Sequence, residues 1–375
     1  MTVLGEAERF GAVMANRLEV GSLLEEGGKA KGVRATDLES GETLEIRAEN
    51  VINATGVWAD RIKPEEILTE EEVPRIAPSR GTHVTLPLER LPLNNAACIV
   101  PAGSGRTIFV LPWYGRALVG TTDNDFDGDI DEVRPGGDDI TYLLDAVNDY
   151  FGESFSRDDL TGAYAGVRPL ISTGDPKKSV DISRKAELYE TSSGMLTITG
   201  GKLTTWRRMA KQTVDRLAER EGRDLPCRTA DIPLGMSASP EDLTPPAPLE
   251  PGQLPEDAAK QLAFRYGHAA RAVLALAAER PELARPIVPG HPDMLAEAVI
   301  AARSEQARTV GDVLLRRTRL ALVAAPQLRT ADSVRPVAEA IGGELGWDPT
   351  RVGDEAEAWV DELAREGCDP AGSAG

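Results

Sequence analysis

Alternating apolar and polar positions dominate the first half of the chain and predict β-strands there. The alternation over 31–48 is interrupted by the turn sequence ESGE at 39–42, which predicts a β-hairpin. A preceding strand is predicted to begin at NRLEV (16–20), and VINATGVWAD (51–60) predicts a buried strand, a glycine turn and the start of a helix. Further short apolar runs bounded by Gly, Pro or Ser predict strands at 82–86, 97–101, 107–113, 116–122, 160–172 and 180–190.

Apolar residues at helical spacing predict a second kind of region nearer the C-terminus. The segment 226–256 contains a stretch rich in proline and acidic residues, which is typical of a linker. Beyond this segment the sequence is rich in Ala, Leu and Arg and predicts a small all-helical domain. The predicted helical segments of the whole chain are 6–15, 138–151, 202–220, 257–280, 292–305, 311–324 and 354–366.

Composition and charge narrow the class of protein. The chain has 375 residues, 41% of them hydrophobic, and a net charge of −19, which argues against nucleic acid as a partner. No apolar run is long enough to span a membrane, and Glu6 and Glu8 stand where a signal peptide would be basic, so we expect a cytoplasmic protein. The three cysteines form no CxxC motif, and the acidic run 123–134 has Arg134 where an EF-hand needs glutamate, so no metal site is predicted.

The sequence TITGGKLTTWRRMA (197–210) predicts an anion site. Gly200 and Gly201 allow backbone angles that other residues avoid, Lys202 adds a positive charge, and a helix follows directly. A helix N-terminus of this kind favours negative charge. The spacing does not match the G-x-x-x-x-G-K-[ST] phosphate loop, and an ordinary helix start remains the alternative.

Two arginines in predicted strands, Arg168 and Arg184, indicate where an anion could be held. An arginine inside a sheet is costly unless it meets an anion, so together with Lys202 they predict a pocket for a phosphate or a carboxylate. His83 lies in the strand-like sequence SRGTHVTLP, where a structural role is the alternative to a catalytic one.

Six of these segments, in this order, resemble FAD-dependent glycerol-3-phosphate dehydrogenases, the quinone-linked members of the D-amino-acid-oxidase-like flavoprotein superfamily. The segments are VINATGVWAD, SRGTHVTLP, LPWYGRALVGTTD, AGVRPLIS, DISRKAEL and TITGGKLTTWRRMA. The resemblance implies an α/β (α+β) fold with a Rossmann-like FAD-binding domain, a mixed or antiparallel substrate-binding sheet and an all-helical C-terminal domain. The implied boundaries are 1–66 for the remainder of the FAD-binding domain, 67–160 for the substrate-binding sheet, 161–225 for the return to the substrate sheet and the FAD domain with its flavin-contacting helix, 226–256 for the linker and 257–375 for the helical domain.

The resemblance also implies roles for individual residues. His83 accepts the proton of the C2 hydroxyl of glycerol 3-phosphate, while the C2 hydride passes to FAD. Arg168, Arg184 and Lys202 bind the substrate phosphate, and His83, Arg168 and Lys202 form the catalytic set. The implied FAD contacts are Ala54, Thr55, Gly56, Gly200, Gly201, Lys202, Leu203 and Thr204.

Partners follow from the same resemblance. Electrons would pass from FAD to a membrane quinone, which implies peripheral contact with the inner face of the cytoplasmic membrane, and a homo-oligomer is compatible with the sequence. The family's N-terminal G-x-G-x-x-G unit is not found, so we expect a chain that lacks the pyrophosphate-binding part of the FAD domain. Two alternatives stay open: an FAD-dependent amine or amino-acid oxidase of the same superfamily, and an inactive remnant unable to bind FAD.

Overall fold

A computed structural model of the chain describes residues 1–62, 75–103, 105–172, 186–235, 238–244, 246–247, 249 and 253–371. The strands are β1 (Leu18–Glu26), β2 (Lys29–Asp37), β3 (Thr43–Arg47), β4 (Ile52–Asn53), β5 (Arg75–Pro87), β6 (Cys98–Pro101), β7 (Thr107–Trp113), β8 (Arg116–Gly120), β9 (Asn124–Asp125), β10 (Gly162–Ser172), β11 (Ala186–Glu190) and β12 (Leu196–Gly200). The helices are α1 (Thr2–Arg9), α2 (Gly137–Phe151), α3 (Trp206–Arg220), α4 (Ala258–Tyr266), α5 (Ala270–Glu279), α6 (Leu295–Ser304), α7 (Ala331–Leu345) and α8 (Pro349–Glu366). This is the mixed α and β fold that the sequence predicts.

The largest sheet is antiparallel, with the strand order β10–β5–β8–β7–β6 and with β9 pairing to β5. Residues alternate between its two faces, and one face carries apolar side chains that pack against α2. Val84 of β5, Val119 of β8 and Val110 of β7 are fully buried there, beneath Leu143 and Val147 of α2. The opposite face is therefore the one available for other chemistry.

A small sheet lies beside the large one and has the order β11–β12–β4. β12 and β4 run parallel, with Leu196 opposite Ile52 and Thr197 opposite Asn53. The chain leaves β12 through Gly200 and Gly201, both in the left-handed region, and enters α3 after a single 3-10 turn (Leu203–Thr205). The α-helix thus begins four residues later than the sequence predicts, and only two residues of 51–60 form a strand.

The hairpin predicted at 31–48 is present as β2 and β3, and β1 completes a three-stranded antiparallel sheet. The helix predicted at 6–15 is wrong in its bounds, because α1 ends at Arg9. Gly11 has a φ of +93°, which a continuing helix does not allow.

The C-terminal third is helical and has its own apolar core, to which Trp359 and Leu314 contribute buried side chains. Leu243 and Leu249, within the predicted linker, are also buried in this core. The helical segment predicted at 311–324 is present, but as a π-helical turn (Asp312–Arg317) followed by a 3-10 turn (Leu320–Leu322) and not as an α-helix. Helix α7 is absent from the prediction.

A buried ion cluster crosses the helical core. The guanidinium of Arg265 donates hydrogen bonds to Asp293, at 2.6 Å, and to Glu297. All three side chains are at least nine-tenths buried, so each charge depends on its partners for stabilisation.

The helical region is joined to the large sheet by backbone hydrogen bonds. Ala325 donates to the carbonyl of Thr161 at 2.9 Å, and Ala163 donates to that of Cys368 at 2.9 Å. Both sheet residues are at the start of β10 or just before it, so the helical region is fixed to the outer strand of the sheet. Within the described ranges, no helix is long and apolar enough to cross a membrane.

Candidate functional site

A row of side chains crosses the open face of the large sheet at one level. The row runs Tyr164, His83, Gly120, Phe109, Ile99, each opposite the next on adjacent strands. Directly opposite residues of antiparallel strands point to the same face. His83 therefore lies on the face that α2 does not cover.

The His83 imidazole lies flat between its two neighbours in this row. The Tyr164 ring is 4.9 Å away, centroid to centroid, and within 8° of parallel. A Cβ atom at Gly120 would come within 2.3 Å of His83 Cδ2, so only glycine leaves room for the ring. His83 Nδ1 is buried and makes no hydrogen bond.

Burial and the nearby Arg168 charge lower the pKa of His83 to about 4. Both causes disfavour the charged imidazolium, because it is poorly solvated and is repelled by a cation. At neutral pH the ring is therefore uncharged and able to accept a proton.

Arg168, on β10, crosses to the strand that bears His83. A Cβ atom at Gly81 of β5 would meet the Arg168 guanidinium at 2.4 Å, so the side chain lies directly over this glycine. The guanidinium donates to Asp123 Oδ1 at 3.1 Å, to Thr121 Oγ1 at 3.1 Å and to the Thr122 carbonyl at 3.2 Å. Its side chain is 30% exposed, so it remains accessible from solvent.

The loop after β8 is itself held in place by polar contacts. Asp123 also accepts a hydrogen bond from the Ser79 hydroxyl. In the first turn of α2, the buried Asp139 accepts hydrogen bonds from Thr82 and Asn124, both at 2.6 Å. Asp139 thereby connects α2 and β9 to the strand that bears His83.

The two segments predicted to contact FAD lie side by side at the carboxyl ends of β4 and β12. The Thr199 hydroxyl donates to the Gly56 carbonyl at 3.3 Å, and Asn53 accepts hydrogen bonds from the backbone and hydroxyl of Thr55. Ligands of open α/β sheets bind at this edge of parallel strands. Gly56, Gly200 and Gly201 all have positive φ, as tight turns at such an edge require.

This edge is open to solvent. Ala54, Lys202 and Thr204 are exposed, and the apolar side chain of Leu203 is 88% exposed. Lys202 lies two residues after β12 and begins the turn into α3, and β12 packs beside β10, the strand of Arg168. Arg184 lies outside the described residues.

Sequence reasoning singled out His83 and Arg168, whose roles stay predictions, but missed the residues that shape their surroundings. Strand register brings Tyr164 and Gly120 beside His83 and places Gly81 beneath Arg168. The positions of these residues in the sequence do not indicate those contacts. Asp123 was noticed only as part of an acidic run. The alternation of small and large residues in RGTH and AYAG is the one signal that could have indicated a flat, crowded sheet face.

Two family models match the chain. The model described as DAO, FAD dependent oxidoreductase, matches residues 2–207, and the model of the C-terminal domain of alpha-glycerophosphate oxidase matches residues 193–352.

Curated relatives match most of the chain. It is 31% identical over 374 residues to glycerol-3-phosphate dehydrogenase 2 of Mycobacterium tuberculosis, covering 98% of this chain and 62% of that protein. It is 38% identical over 301 residues to glycerol-3-phosphate dehydrogenase 1 of the same organism, covering 78% of this chain and 55% of that protein. The chain thus spans little more than half of each relative's length.

A solved structure gives the same picture. The glycerol-3-phosphate dehydrogenase from Bacillus halodurans, complexed with FAD, aligns with 97% of this chain and 72% of its own, with 29% identity and a TM-score of 0.78. The resemblance inferred from the sequence is confirmed, and the chain belongs to the DAO family of FAD-dependent oxidoreductases.

Proposed function

We propose that this chain takes part in the oxidation of sn-glycerol 3-phosphate to dihydroxyacetone phosphate, with FAD as the hydride acceptor. The observation that carries the proposal is the pairing of an uncharged imidazole with a guanidinium on one open sheet face. The Arg168 guanidinium lies over Gly81, two residues along β5 from His83, which corresponds to about 7 Å in a strand. A short phosphate ester can meet both groups at once.

His83 receives the proton in this proposal. Its Nδ1 is buried, so Nε2 is the atom that accepts the proton of the C2 hydroxyl. The Arg168 charge lowers the pKa of His83, and a phosphate bound to Arg168 offsets that charge. Substrate binding therefore raises the proton affinity of the base at the moment it is needed.

Arg168 binds the substrate phosphate, and Arg184 and Lys202 complete the phosphate site. A guanidinium can donate two parallel hydrogen bonds to phosphate, which fixes both its position and its orientation. Arg168 is already held by Asp123 and Thr121, so little side-chain freedom is lost on binding. Lys202, at the turn that precedes α3, contributes a further positive charge.

The residues at the open edge of β4 and β12 fit a flavin. Glycines at 56, 200 and 201 give close backbone approach, and the exposed Leu203 offers an apolar surface to a flat ring. When bound, FAD supplies the acceptor for the C2 hydride. In the proposal, residues 54–56 and 200–204 hold it beside the open sheet face.

The names of relatives support the proposed substrate. The relatives from Mycobacterium tuberculosis and Bacillus halodurans are named glycerol-3-phosphate dehydrogenases, and one from Staphylococcus haemolyticus is named aerobic. We extend the proposal to a membrane quinone as electron acceptor, with peripheral contact at the cytoplasmic membrane and a homo-oligomeric assembly. We propose that the chain is divided into FAD-binding, substrate-binding and helical parts at the boundaries predicted from the sequence.

A substrate screen tests the proposal. The purified chain is incubated with FAD, freed of unbound FAD and assayed by dye reduction with glycerol 3-phosphate, glycine or a D-amino acid. We expect yellow protein and turnover with glycerol 3-phosphate alone. In Arg168→Gln the KM for glycerol 3-phosphate should rise about 30-fold or more, since loss of a charged partner costs about 2–5 kcal/mol.

Arg116→Gln is the matched control. Arg116 is a partly buried arginine of the same sheet, but it contacts His291 and the Val323 carbonyl instead of His83. Its KM should stay near the wild-type value. Turnover with an amino acid instead would show an amino-acid oxidase and reject glycerol 3-phosphate as the substrate. Protein that stays colourless with FAD would show that the chain is a non-catalytic remnant.

A further inference from the structure

The His83 ring lacks the contact that usually orients a functional histidine. Such a ring is generally oriented by a hydrogen bond from one nitrogen to a carboxylate or carbonyl. His83 Nδ1 makes no hydrogen bond, although it is buried. Its orientation must therefore come from packing.

The packing comes from the two residues beside His83 in its row. Tyr164 stacks in parallel on the imidazole at 4.9 Å, and Gly120 lies close beneath Cδ2, Cγ and Nε2. Resting on the proposed role of His83 as the base, we propose that Tyr164 is a positioning residue, which holds the imidazole in the orientation for proton transfer. The ring of Tyr164 carries this role, and its hydroxyl is not required.

Tyr164 is itself supported from the helical region. Trp113 lies 6.4 Å from its ring and meets Tyr114 edge-on at 4.9 Å. The Arg319 guanidinium lies 4.9 Å from the Tyr114 centroid and hydrogen-bonds to its hydroxyl. Since Arg319 belongs to the helical region, that region supports the His83 ring through three aromatic side chains.

Without the Tyr164 ring, the imidazole can rotate into the space that the ring had filled. A displacement of about 1 Å from the reactive geometry can cost about 100-fold in rate. The loss should fall on kcat and leave KM nearly unchanged, because Tyr164 does not meet the substrate phosphate.

Two measurements on the same variants test this role. The first is the NMR chemical shift of the His83 ring protons in the chain without FAD, assigned by comparison with His83→Gln. A parallel aromatic ring shifts such protons upfield, so Tyr164→Leu and Tyr164→Met should move them downfield, and Tyr164→Phe should not. Tyr164→Met fills the site without a ring and serves if the leucine variant does not fold.

The second measurement is turnover of glycerol 3-phosphate by the FAD-loaded chain. We expect kcat to fall about tenfold to 100-fold in Tyr164→Leu and to be retained in Tyr164→Phe. The control is Tyr142→Leu, which removes a partly buried ring from α2, on the opposite side of the sheet. It should leave both the His83 shift and kcat unchanged.

The outcomes separate this inference from the proposed function. His83 protons that stay in place in both non-aromatic variants would overturn the positioning role, and so would a phenylalanine variant as impaired as leucine. A kcat loss shared by Tyr142→Leu would show a general effect of lost packing and would also overturn it. If no variant turns over glycerol 3-phosphate but the His83 ring shifts change as expected, the proposed reaction is rejected. The stacking of Tyr164 on His83 would then still hold.

Discussion

Removing the charge of Arg168 should raise the pKa of His83, and the structure sets the size of the change. The ring's pKa is about 4 against an ordinary 6.5, a difference of about 2.5 units. Burial is the larger of the two causes and the Arg168 charge the smaller, so the charge accounts for less than half. Arg168→Gln should therefore raise the pKa by at most about 1 unit, which is about 1.4 kcal/mol.

The assay is an NMR pH titration of the imidazoles. The chain has only three histidines, His83, His268 and His291, so each resonance can be assigned by single substitution. His291 provides an internal control, because burial and then the neighbouring Arg116 charge lower its pKa as well. Arg116→Gln should raise the pKa of His291 and leave that of His83 in place.

Two results would refute this reasoning. If Arg168→Gln leaves the pKa of His83 near 4, the two groups are not electrostatically coupled, and a phosphate on Arg168 cannot tune the base. If Arg116→Gln moves His83 as much as Arg168→Gln does, the effect comes from the net charge of the sheet and not from the geometry over Gly81. Saturating glycerol 3-phosphate should reproduce the effect of Arg168→Gln, since it offsets the same charge.

Three further predictions concern other contacts. Because the pKa of His83 is lowered in the native state, only the unfolded chain binds this proton between about pH 6.5 and 4. About 3 kcal/mol of the free energy of unfolding should therefore be lost as pH falls across this range, and His83→Gln should lack this loss in urea unfolding. Asp123→Asn should raise the KM for glycerol 3-phosphate, because Arg168 loses its anchor, while the free energy of unfolding changes by less than about 1 kcal/mol, as for other exposed ion pairs; an unchanged KM would count against the anchoring. Arg265→Leu should lower the free energy of unfolding by about 3–5 kcal/mol, because two buried carboxylates lose their partner; a loss below 1 kcal/mol would show that the cluster is hydrated.

The alternation of apolar residues was sufficient to predict most strands, because the large sheet has one buried and one open face. The same logic failed for α7, whose sequence carries Pro336 within the helix and Gly342 and Gly343 near its end. Local propensity argues against a helix there. Burial of Val334, Val337 and Ile341 in the helical core outweighs this unfavourable propensity. The stabilisation from burial depends on tertiary packing, which the sequence does not show.

The candidate site was predictable where chemistry depends on residue type and unpredictable where it depends on register. His83 and Arg168 stood out because an imidazole and a guanidinium are unusual within strands. Tyr164 did not, since a tyrosine in a strand is ordinary until His83 is known to lie opposite. The π-helical turn after Gly311 was missed for a similar reason, because helical spacing alone does not distinguish it from an α-helix.

The glycines of the open face explain why a histidine and an arginine can share so small an area. Gly81 and Gly120 each lie beneath a side chain that would clash with any Cβ atom. Gly166 is opposite Gly81, yet a Cβ atom there would meet nothing within 4 Å. The first two glycines let large polar groups lie flat, while the third leaves open space above β10, beside the Arg168 guanidinium that lies over Gly81. A substrate in that space would have the imidazole at one end and the guanidinium at the other, which is the arrangement that a hydroxyl and a phosphate on a short carbon chain require.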